Sequence, residues 1–453
     1  MAIVVTQRKA CTVNPLKMSQ PIGAALAFLG LDACLPALHG SQGCTAFGMV
    51  LFVRHFRENI PLQTTAMNEA TTILGGIDNI EQAILNIWTR AKPAIIGIAS
   101  TGLTETKGDD VDGYIRLIRK KHPELDELAI VYVSTPDYKG AFQDGWANAV
   151  SRIVQSLVEP APKKKENQVN VLAGSHLSPG DIEEIREIIM DFGLNPVMLP
   201  DLSGSLDGHI PEDFSPTTMG GTTLGEIRSM GASVASIVIG EHMLTAAVEL
   251  GIKADVPYTV FDRLLGLEAN DKFLAFLSGL SGRPVPNKYR RQRSQLVDAM
   301  LDGHFFFGGK KIAIGAEPDL LWGISSMLAE MGCEIDAAVT TTLSPLLEKI
   351  PAKEVVIGDL EDLELRAKEC DLLITHSHGR QMAERLDIPF LRMGLPIFDR
   401  LGAAHNLSVG YRGTRDLIFQ IGNIFMANAH EATPDTWAPI VERGDFGAQA
   451  TAH

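Results

Sequence analysis

The stretch PAIIGIAS, residues 93–100, indicates the fold most directly. It is short, apolar and rich in β-branched residues, which is typical of a buried parallel strand. DDVDGYIRLIRKKH (109–122) follows with the apolar spacing of a helix, and LAIVYVS (128–134) has the pattern of another strand. Together the three stretches predict a βαβ unit, in which the two strands run parallel.

The same alternation recurs further along the chain. VNVLAG (169–174) and PVMLPDL (196–202) are predicted strands, and SPGDIEEIREIIMDFG (178–193) between them has helical spacing. A third set begins with KIAIGA (311–316) and continues through a helical pattern to two more apolar runs. Three sets of this kind predict an α/β protein with three doubly wound, Rossmann-like domains built on parallel sheets.

The boundaries of these domains are predicted from the points where the pattern restarts. At roughly 150 residues per domain, a chain of 453 residues agrees with three. We predict domains at residues 1–165, 166–305 and 306–453. In open parallel sheets, ligands bind beyond the carboxyl ends of the strands, so we expect the functional residues in the loops there.

Charge and hydropathy exclude several classes of function. The net charge of -15 argues against nucleic-acid binding, which needs clustered Lys and Arg. The one basic run, Lys163–Lys165, is predicted to be a solvated linker at the first boundary. No stretch approaches the roughly 18 apolar residues of a membrane span, and the N-terminal apolar run is too short for a signal peptide. We therefore expect a soluble, cytoplasmic protein that binds neither nucleic acid nor membrane.

The cysteines also favour a cytoplasmic protein. The chain has Cys11, Cys34, Cys44, Cys333 and Cys370. Their odd number, wide spacing and lack of a CxxC motif argue against a disulfide framework and favour a reducing compartment. Cys34 falls within an apolar run and is expected in the core. Cys11, Cys333 and Cys370 have no cysteine neighbours and are expected to be structural.

Cys44 is the exception, because of the stretch LHGSQGCTAFGMVLFVRHF (38–56). ACLPALHG (33–40) is predicted to be a strand, so Cys44 would follow a glycine-rich loop, Gly40–Gly43, at the start of a helix. Free N–H groups at a helix start favour a thiolate and suit an anionic cluster. The residues alone leave open a second interpretation, in which Cys44 is a small buried hydrophobic side chain.

The number of thiols has a further consequence. An iron–sulfur cubane is usually held by four cysteine thiolates, and a soft thiolate suits such a cluster better than it suits magnesium or calcium. Cys44 has no second thiol within ligand spacing. If Cys44 binds a cluster, most of the other ligands must therefore come from another chain.

Three other stretches are weaker candidates. TTMGGTTLGEIRSMG (217–231) places glycines before a helical pattern, but it has neither a P-loop nor GxGxxG spacing, and we favour a structural turn. His376 and His378 are two residues apart and His405 lies further on, but no local carboxylate or cysteine completes a metal site. If the strand before His376 continues, the two rings point in opposite directions.

Two stretches, residues 59–76 and 100–114, carry acidic residues without the spacing of an acid/base pair. They contain Glu69, Glu105, Asp109 and Asp110. For the two aspartates we expect helix capping, which is the usual role of such residues before a helix.

Residues 19–58 resemble the cluster-binding region of the β-chain family of the nitrogenase molybdenum-iron protein. Their sequence is SQPIGAALAFLGLDACLPALHGSQGCTAFGMVLFVRHFRE. GGTTLGEIRSMGA (220–232) and IPFLRMGLPIFDRLGAAHNLSVGYRG (388–413) resemble later blocks of the same family. The resemblance spans nearly the whole chain. It implies a fold of the nitrogenase component 1 β-chain type.

The departures from this family indicate a subfamily. The β chain of catalytic nitrogenase brings three cysteines to the eight-iron P-cluster; by the resemblance, the first position is Ser19 here and the third falls at about Gly102. Cys44 alone remains, and one thiolate fits the fourth ligand of a four-iron cubane shared with a partner. This pattern resembles the β-like subunit of the scaffold complex on which the iron-molybdenum cofactor precursor is matured.

The resemblance implies a set of cofactors and partners. Cys44 would be a ligand of an inter-subunit [4Fe-4S] cluster, with Gly40, Ser41 and Gly43 beside it. A NifE-like α-type subunit would supply the other cysteines in an α2β2 heterotetramer and would hold most of the precursor. The nitrogenase iron protein and a precursor-donor protein would dock transiently, and molybdenum and homocitrate would be inserted before delivery to nitrogenase.

In this interpretation the chain carries no complete active site, and Cys44 would support electron relay and structure. The resemblance assigns no ligand role to His376, His378 or His405. Two alternatives remain: a catalytic subunit of a nitrogenase-like reductase, and a stand-alone enzyme that binds a dinucleotide or sugar nucleotide.

Overall fold

The computed structural model describes residues 1–6 and 16–428. Cys11 therefore lies outside the described residues. The described strands are β1 (Ile3–Thr6), β2 (Cys34–His39), β3 (Gln63–Thr64), β4 (Ile95–Ser100), β5 (Ala129–Val133), β6 (Gln168–Leu172), β7 (Asn195–Leu199), β8 (Ala235–Ile239), β9 (Tyr258–Phe261), β10 (Lys311–Gly315), β11 (Glu334–Thr340), β12 (Glu354–Ile357), β13 (Leu372–Thr375) and β14 (Phe390–Arg392).

The helices lie between and around these strands. They are α1 (Gln20–Leu29), α2 (Gln42–Phe56), α3 (Glu69–Leu74), α4 (Ile77–Ala91), α5 (Gly102–Lys107), α6 (Val111–Lys121), α7 (Phe142–Leu157), α8 (Pro179–Asp191), α9 (Leu202–Ser205), α10 (Leu224–Ser229), α11 (Leu244–Ala254), α12 (Leu267–Ser281), α13 (Asn287–Phe307), α14 (Pro318–Glu330), α15 (Leu360–Arg366), α16 (Arg380–Leu386) and α17 (Gly410–Ala427). None of the helices in the described part combines the length and the apolar character needed to cross a membrane.

The strands form three parallel sheets. Their orders are β3-β2-β4-β5, β7-β6-β8-β9 and β1-β12-β11-β10-β13-β14. Each sheet and its neighbouring helices form one unit, and the first, second and third units contain β2–β5, β6–β9 and β10–β14. In each sheet, apart from the added edge strand β1, the chain starts in the middle, builds outward to one side and then returns to build the other side. The predicted α/β class with doubly wound parallel sheets is therefore confirmed. Each sheet has a switch point between its two halves, at β2/β4, β6/β8 and β10/β13.

The N-terminal strand does not belong to the first sheet. Ile3 to Thr6 pair in parallel with Glu354 to Ile357 at the edge of the third sheet. The strand β1 is therefore part of the third sheet, whose other strands come from residues 311–392. The predicted domain boundaries near residues 165 and 305 remain predictions.

The predicted linker has one unexpected contact. Lys163 and Lys165 are exposed, as predicted, but Lys164 is half-buried. Its Nζ donates hydrogen bonds to the carbonyl oxygens of Gly231 and Ala254, at 2.8 and 2.9 Å. The prediction of a fully solvated run is therefore wrong for Lys164, which attaches the linker to the second unit.

Cys34, which was predicted in the core, is buried, and so are Cys333 and Cys370, which were predicted to be structural. Burial raises the pKa of the Cys34 thiol, and it raises that of Cys333 and of Cys370 to about 12. Such thiols behave as small apolar side chains, which agrees with the structural roles predicted for them.

The glycine pair before α10 also has a structural role. Gly220 and Gly221 have φ angles of +77° and +96°, a region that favours glycine. A Cβ on Gly221 would lie 2.6 Å from the carbonyl oxygen of Gly30, so the turn packs directly on the backbone after α1. Thr223 then caps α10 by accepting a hydrogen bond from the Glu226 amide. These contacts support the predicted structural turn.

Candidate functional site

The loop that contains Cys44 lies at the switch point of the first sheet. β2 ends at His39 and β4 ends at Ser100, and these two residues are paired neighbours. The chain then diverges, toward α2 from the first strand and toward α5 from the second. Cys44 is the third residue of α2, as predicted. It therefore lies in the crevice where open parallel sheets bind their ligands.

Threonine side chains hold this loop in place. The Gly40 amide donates a hydrogen bond to Oγ1 of Thr65, at 3.2 Å. Oγ1 of Thr101 and Oγ1 of Thr104 donate to the carbonyl oxygen of His39, at 3.0 and 3.2 Å. A Cβ on Gly40 would lie 2.4 Å from Oγ1 of Thr101, so a larger residue would displace the loop from β4.

A buried histidine and aspartate lie beneath the loop. Nδ1 of His39 is 2.9 Å from Oγ1 of Thr65, and Nε2 is 3.4 Å from Oδ2 of Asp109. Burial lowers the pKa of His39, and Asp109 opposes this effect only in part. The prediction that Asp109 caps a helix is therefore wrong; Asp110 does so by accepting a hydrogen bond from the Gly113 amide, at 2.9 Å.

Sequence reasoning missed this support. The available signal was His39, at the end of β2, and Thr101, just after β4. Neither is unusual alone, and only the pairing of β2 with β4 brings them together.

The thiol of Cys44 faces an open hollow. Cys44 is exposed, so the alternative interpretation as a small buried hydrophobic residue is wrong. Sγ lies 3.5 Å from Oγ of Ser41. A Cβ on Gly43 would find its nearest neighbour, also Oγ of Ser41, at 4.0 Å. The hollow has a volume of about 340 Å³ and is lined by Ser19, Pro21, Ile22, Leu38, Gly43, Cys44, Phe47, Thr101 and Asp137.

The other two positions aligned with family cysteines lie at the same hollow. Ser19 lines it directly and precedes the first residue of α1. Gly102 follows Thr101, and a Cβ there would lie 2.0 Å from Oδ1 of Asp137. A cysteine side chain at Gly102 would thus require Asp137 to move. Within the described residues, Cys44 is the one thiol that this hollow offers.

Close backbone packing fixes the wall formed by α1. A Cβ on Gly23 of α1 would lie 1.9 Å from the carbonyl oxygen of Phe142, and one on Gly145 of α7 would lie 2.0 Å from that of Gln20. The two helices therefore touch backbone to backbone. This contact sets the position of Ser19 relative to Cys44.

The same exposed face of α2 is apolar. Phe47, Val50 and Val53 are exposed, and the side chain of Phe47 is 63% accessible. The opposite face of the helix is buried and includes Leu51 and Phe52. A thiol beside a row of exposed apolar side chains is typical of a protein interface rather than of a solvated helix face.

The histidines of the third unit do not form a metal centre. His376 donates from Nε2 to the carbonyl oxygen of Leu16, at 3.1 Å, and burial lowers its pKa to about 4. Because β13 ends at Thr375, the rings of His376 and His378 are not on opposite faces of a strand, and their centroids are 5.1 Å apart. Among the described residues, no group of three metal-ligating side chains includes either of them or His405.

His405 instead lies at a larger cavity. This cavity has a volume of about 510 Å³ and is also lined by Arg57, Glu58 and His209. Oε1 of Glu58 accepts a hydrogen bond from the Gly208 amide, at 2.7 Å, and burial raises the pKa of Glu58. Sequence reasoning missed this cavity because its residues come from distant parts of the chain.

Comparison with known proteins agrees with this geometry. Residues 19–426 match the family model described as nitrogenase component 1 type oxidoreductase. The chain superposes with a TM-score of 0.89 on a solved structure described as "Nitrogenase Cp1 at pH 6.5", which is 33% identical, with 95% of this chain and 96% of that chain covered. The chain therefore belongs to the nitrogenase component 1 family.

Its full-length relatives place it more narrowly. Relatives named "Nitrogenase iron-molybdenum cofactor biosynthesis protein NifN" match nearly the whole chain. The relative from Bradyrhizobium diazoefficiens is 62% identical, over 96% of this chain and 95% of its own length. Those from Nostoc sp. and Mesorhizobium japonicum are 54% and 52% identical, over 95% and 98% of this chain and 97% of their own lengths. Within the family, the chain groups with these NifN-type proteins.

Proposed function

We propose that this chain is the β-like subunit of a cytoplasmic scaffold complex on which the precursor of the iron-molybdenum cofactor is matured. In this proposal Cys44 is one ligand of a [4Fe-4S] cluster shared with a NifE-like α-type subunit. The observation that carries the proposal is the thiol of Cys44, which is the one exposed thiol among the described residues and lies in a hollow at the switch point of the first sheet. The names of the relatives support the biosynthetic role.

The residues around Cys44 fit one corner of such a cluster. The N–H groups of the first turn of α2 have no acceptor within the helix, and the Ser41 side chain does not cap them. They are therefore available to the sulfur atoms of an anionic group. Oγ of Ser41, 3.5 Å from Sγ, can donate a further hydrogen bond to the thiolate.

The chain's own part is to hold and orient this ligand. A bound [4Fe-4S] cluster would supply one-electron transfer. The threonine contacts to His39 and Gly40 fix the loop, so that the thiol keeps its position relative to the hollow. Gly43 leaves the approach to Sγ free of side-chain atoms.

The partner is proposed from the exposed face of α2. Phe47 and Val50 lie beside Cys44, so a subunit that covered them would bring its own ligands next to the thiol. One thiolate is too few for a cubane, so the remaining cysteines belong to that subunit. Two such heterodimers would form the α2β2 heterotetramer.

The cofactor precursor is cargo in this proposal and is held mainly by the partner. Molybdenum and homocitrate would be inserted there, with the nitrogenase iron protein and a precursor-donor protein docking transiently. The support for these steps is the function printed in the names of the relatives, together with the family to which this chain belongs.

A catalytic subunit of a nitrogenase-like reductase is the second candidate. The 33% identity to a solved nitrogenase favours it. The serine and glycine at positions 19 and 102 weigh against it, because they leave this chain with one thiolate at the hollow.

One pair of assays separates the two candidates. The purified complex is supplied with precursor, molybdate, homocitrate, iron protein and ATP, and is then mixed with cofactor-free nitrogenase. We expect nitrogenase activity to appear only after mixing. Dinitrogen reduction by the complex alone, at rates similar to those of nitrogenase, would instead support the reductase.

A further inference from the structure

A second cluster of functional side chains lies at the switch point of the second sheet. β6 and β8 are neighbours there, ending at Leu172 and Ile239. His176 follows β6 and His242 follows β8. Asp319 comes from the third unit, where it is the second residue of α14. The three residues thus meet where two units join, and none of them belongs to the site around Cys44.

Their donor atoms are close enough to share one ion. One nitrogen from each imidazole and one oxygen from Asp319 all lie within 4.8 Å of one another. Nδ1 of His242 is 3.1 Å from Oδ2 of Asp319, and the centroids of the two histidine rings are 6.0 Å apart. The side chains of His242 and Asp319 are buried.

Each of the three residues has a buried polar atom without a hydrogen-bond partner. These atoms are Nδ1 of His176, Nδ1 of His242 and Oδ2 of Asp319. The contact between the last two is short, but it does not have the geometry of a hydrogen bond. Buried polar atoms are rarely left unpaired in folded proteins, and three in one place point to a ligand-binding site.

Glycines keep the centre of the cluster open. A Cβ on Gly240 would lie 3.0 Å from Oδ1 of Asp319, 3.0 Å from Cε1 of His242 and 3.1 Å from Cε1 of His176. A Cβ on Gly174 would lie 2.8 Å from Nδ1 of His176. Any other residue at either position would therefore crowd the imidazoles and the carboxylate.

Backbone contacts orient the acidic ligand. Oδ1 of Asp319 accepts a hydrogen bond from the Glu241 amide, at 2.5 Å. This bond holds the carboxylate in place, so Oδ2 keeps its position in the cluster. The Asp319 amide donates to Oε1 of Gln143, at 3.3 Å, which connects the cluster to the first unit. Contacts of this kind are what hold metal ligands in position in known sites.

We propose that His176, His242 and Asp319 bind one divalent transition-metal ion of the zinc or ferrous type. Two imidazoles and one carboxylate are a donor set that both ions favour. A cavity of about 90 Å³ is lined in part by Ser175 and His176, on one side of the cluster.

Binding has one identifiable cost. The Ser175 amide donates a hydrogen bond to Nε2 of His242, at 3.1 Å, which places the ring proton on Nδ1. Coordination through Nδ1 moves this proton to Nε2, and the Ser175 amide must then give up its acceptor. The metal site and the [4Fe-4S] proposal rest on different residues, so neither depends on the other.

Titration with Co²⁺ tests the proposal. The full chain carries Cys44→Ala, so that no iron–sulfur absorption interferes, and is freed of metal by a chelator. We expect one Co²⁺ per chain, with visible ligand-field bands. Asp319→Asn and His176→Gln should weaken binding by more than about tenfold. The matched control alters the exposed pair His209 and Asp207 to Gln and Asn, and should bind as the parent does.

A second measurement needs no substitution in the cluster. Added Zn²⁺ should raise the thermal unfolding midpoint of the parent chain, because an ion that binds only the folded state stabilises it. No stabilisation by Zn²⁺, or equal Co²⁺ affinity in the parent and the folded Asp319→Asn variant, would overturn the proposal.

Discussion

At the scale of single residues, position decides what a cysteine does. Cys34, Cys333 and Cys370 lie in or beside strands and are buried, where burial raises the pKa of the thiol. Cys44 is exposed because it sits on the first turn of α2, beyond the end of β2. The chemistry available to each thiol follows from the element on which it lies.

The two glycines beside Cys44 have different tasks and provide a matched test. Gly40→Ala should lower the free energy of unfolding by about 1–3 kcal/mol, because the new Cβ would lie 2.4 Å from Oγ1 of Thr101. Gly43→Ala should be neutral or stabilising by up to about 1 kcal/mol, since its Cβ has free space within a helix. Urea unfolding measures both values. Equal effects of the two substitutions would show that contact with Thr101 does not restrict the loop.

At the scale of elements, α2 joins two functions in one helix. Its inner face packs Leu51 and Phe52 into the core, and its outer face carries Cys44, Phe47 and Val50. The inner face fixes the helix, so the outer face presents the thiol and its apolar neighbours together. We therefore expect partner binding and cluster ligation to depend on the same surface.

A charge on this surface should weaken the complex without unfolding the chain. Phe47→Asp should weaken binding of the NifE-like partner at least tenfold, or about 1.4 kcal/mol. The ring of Phe47 is exposed in this chain and would be buried against the partner, and the substitution removes this burial. Ile252→Asp, on the exposed surface of α11, is the control and should leave binding unchanged. Co-purification followed by titration calorimetry measures both. Unaltered affinity of Phe47→Asp would place the interface elsewhere.

At the scale of the whole molecule, the important sites lie where chain segments meet. Local periodicity was enough to predict some strands of each sheet, among them β2, β6 and β10, and the position of Cys44 at a helix start, because both depend on neighbouring residues. The pairing of β1 with β12 could not be predicted, since it joins residues 3–6 to residues 354–357. The His39–Asp109 contact and the cluster of His176, His242 and Asp319 were missed for the same reason.

Buried histidines between the units should make stability depend on pH. Nδ1 of His55 accepts a hydrogen bond from the Ile397 amide, at 2.8 Å, and burial lowers the pKa of His55 to about 4. An unfolded histidine titrates near 6.5, so below that pH the unfolded chain binds the additional proton. His55 therefore stabilises the fold less as the pH falls from about 6.5 toward 4.

Replacement of His55 tests this effect. Between pH 6.5 and 5, the wild-type chain should lose about 1.6 kcal/mol more unfolding free energy than His55→Gln. Glu317, whose pKa burial raises to about 7, acts in the opposite direction and is common to both chains. Parallel pH profiles for wild type and His55→Gln would contradict the predicted role of His55.

The central claim is that Cys44 completes an iron–sulfur cluster shared with a partner subunit. The most direct measurement is the EPR spectrum and iron content of the reduced complex, co-purified as wild type, as Cys44→Ala and, for control, as Cys333→Ala. The account predicts an S = 1/2 signal of a [4Fe-4S] cluster in wild type and in the Cys333 variant, and its loss or clear perturbation in Cys44→Ala. An unchanged spectrum and iron content in an intact Cys44→Ala complex would contradict the claim.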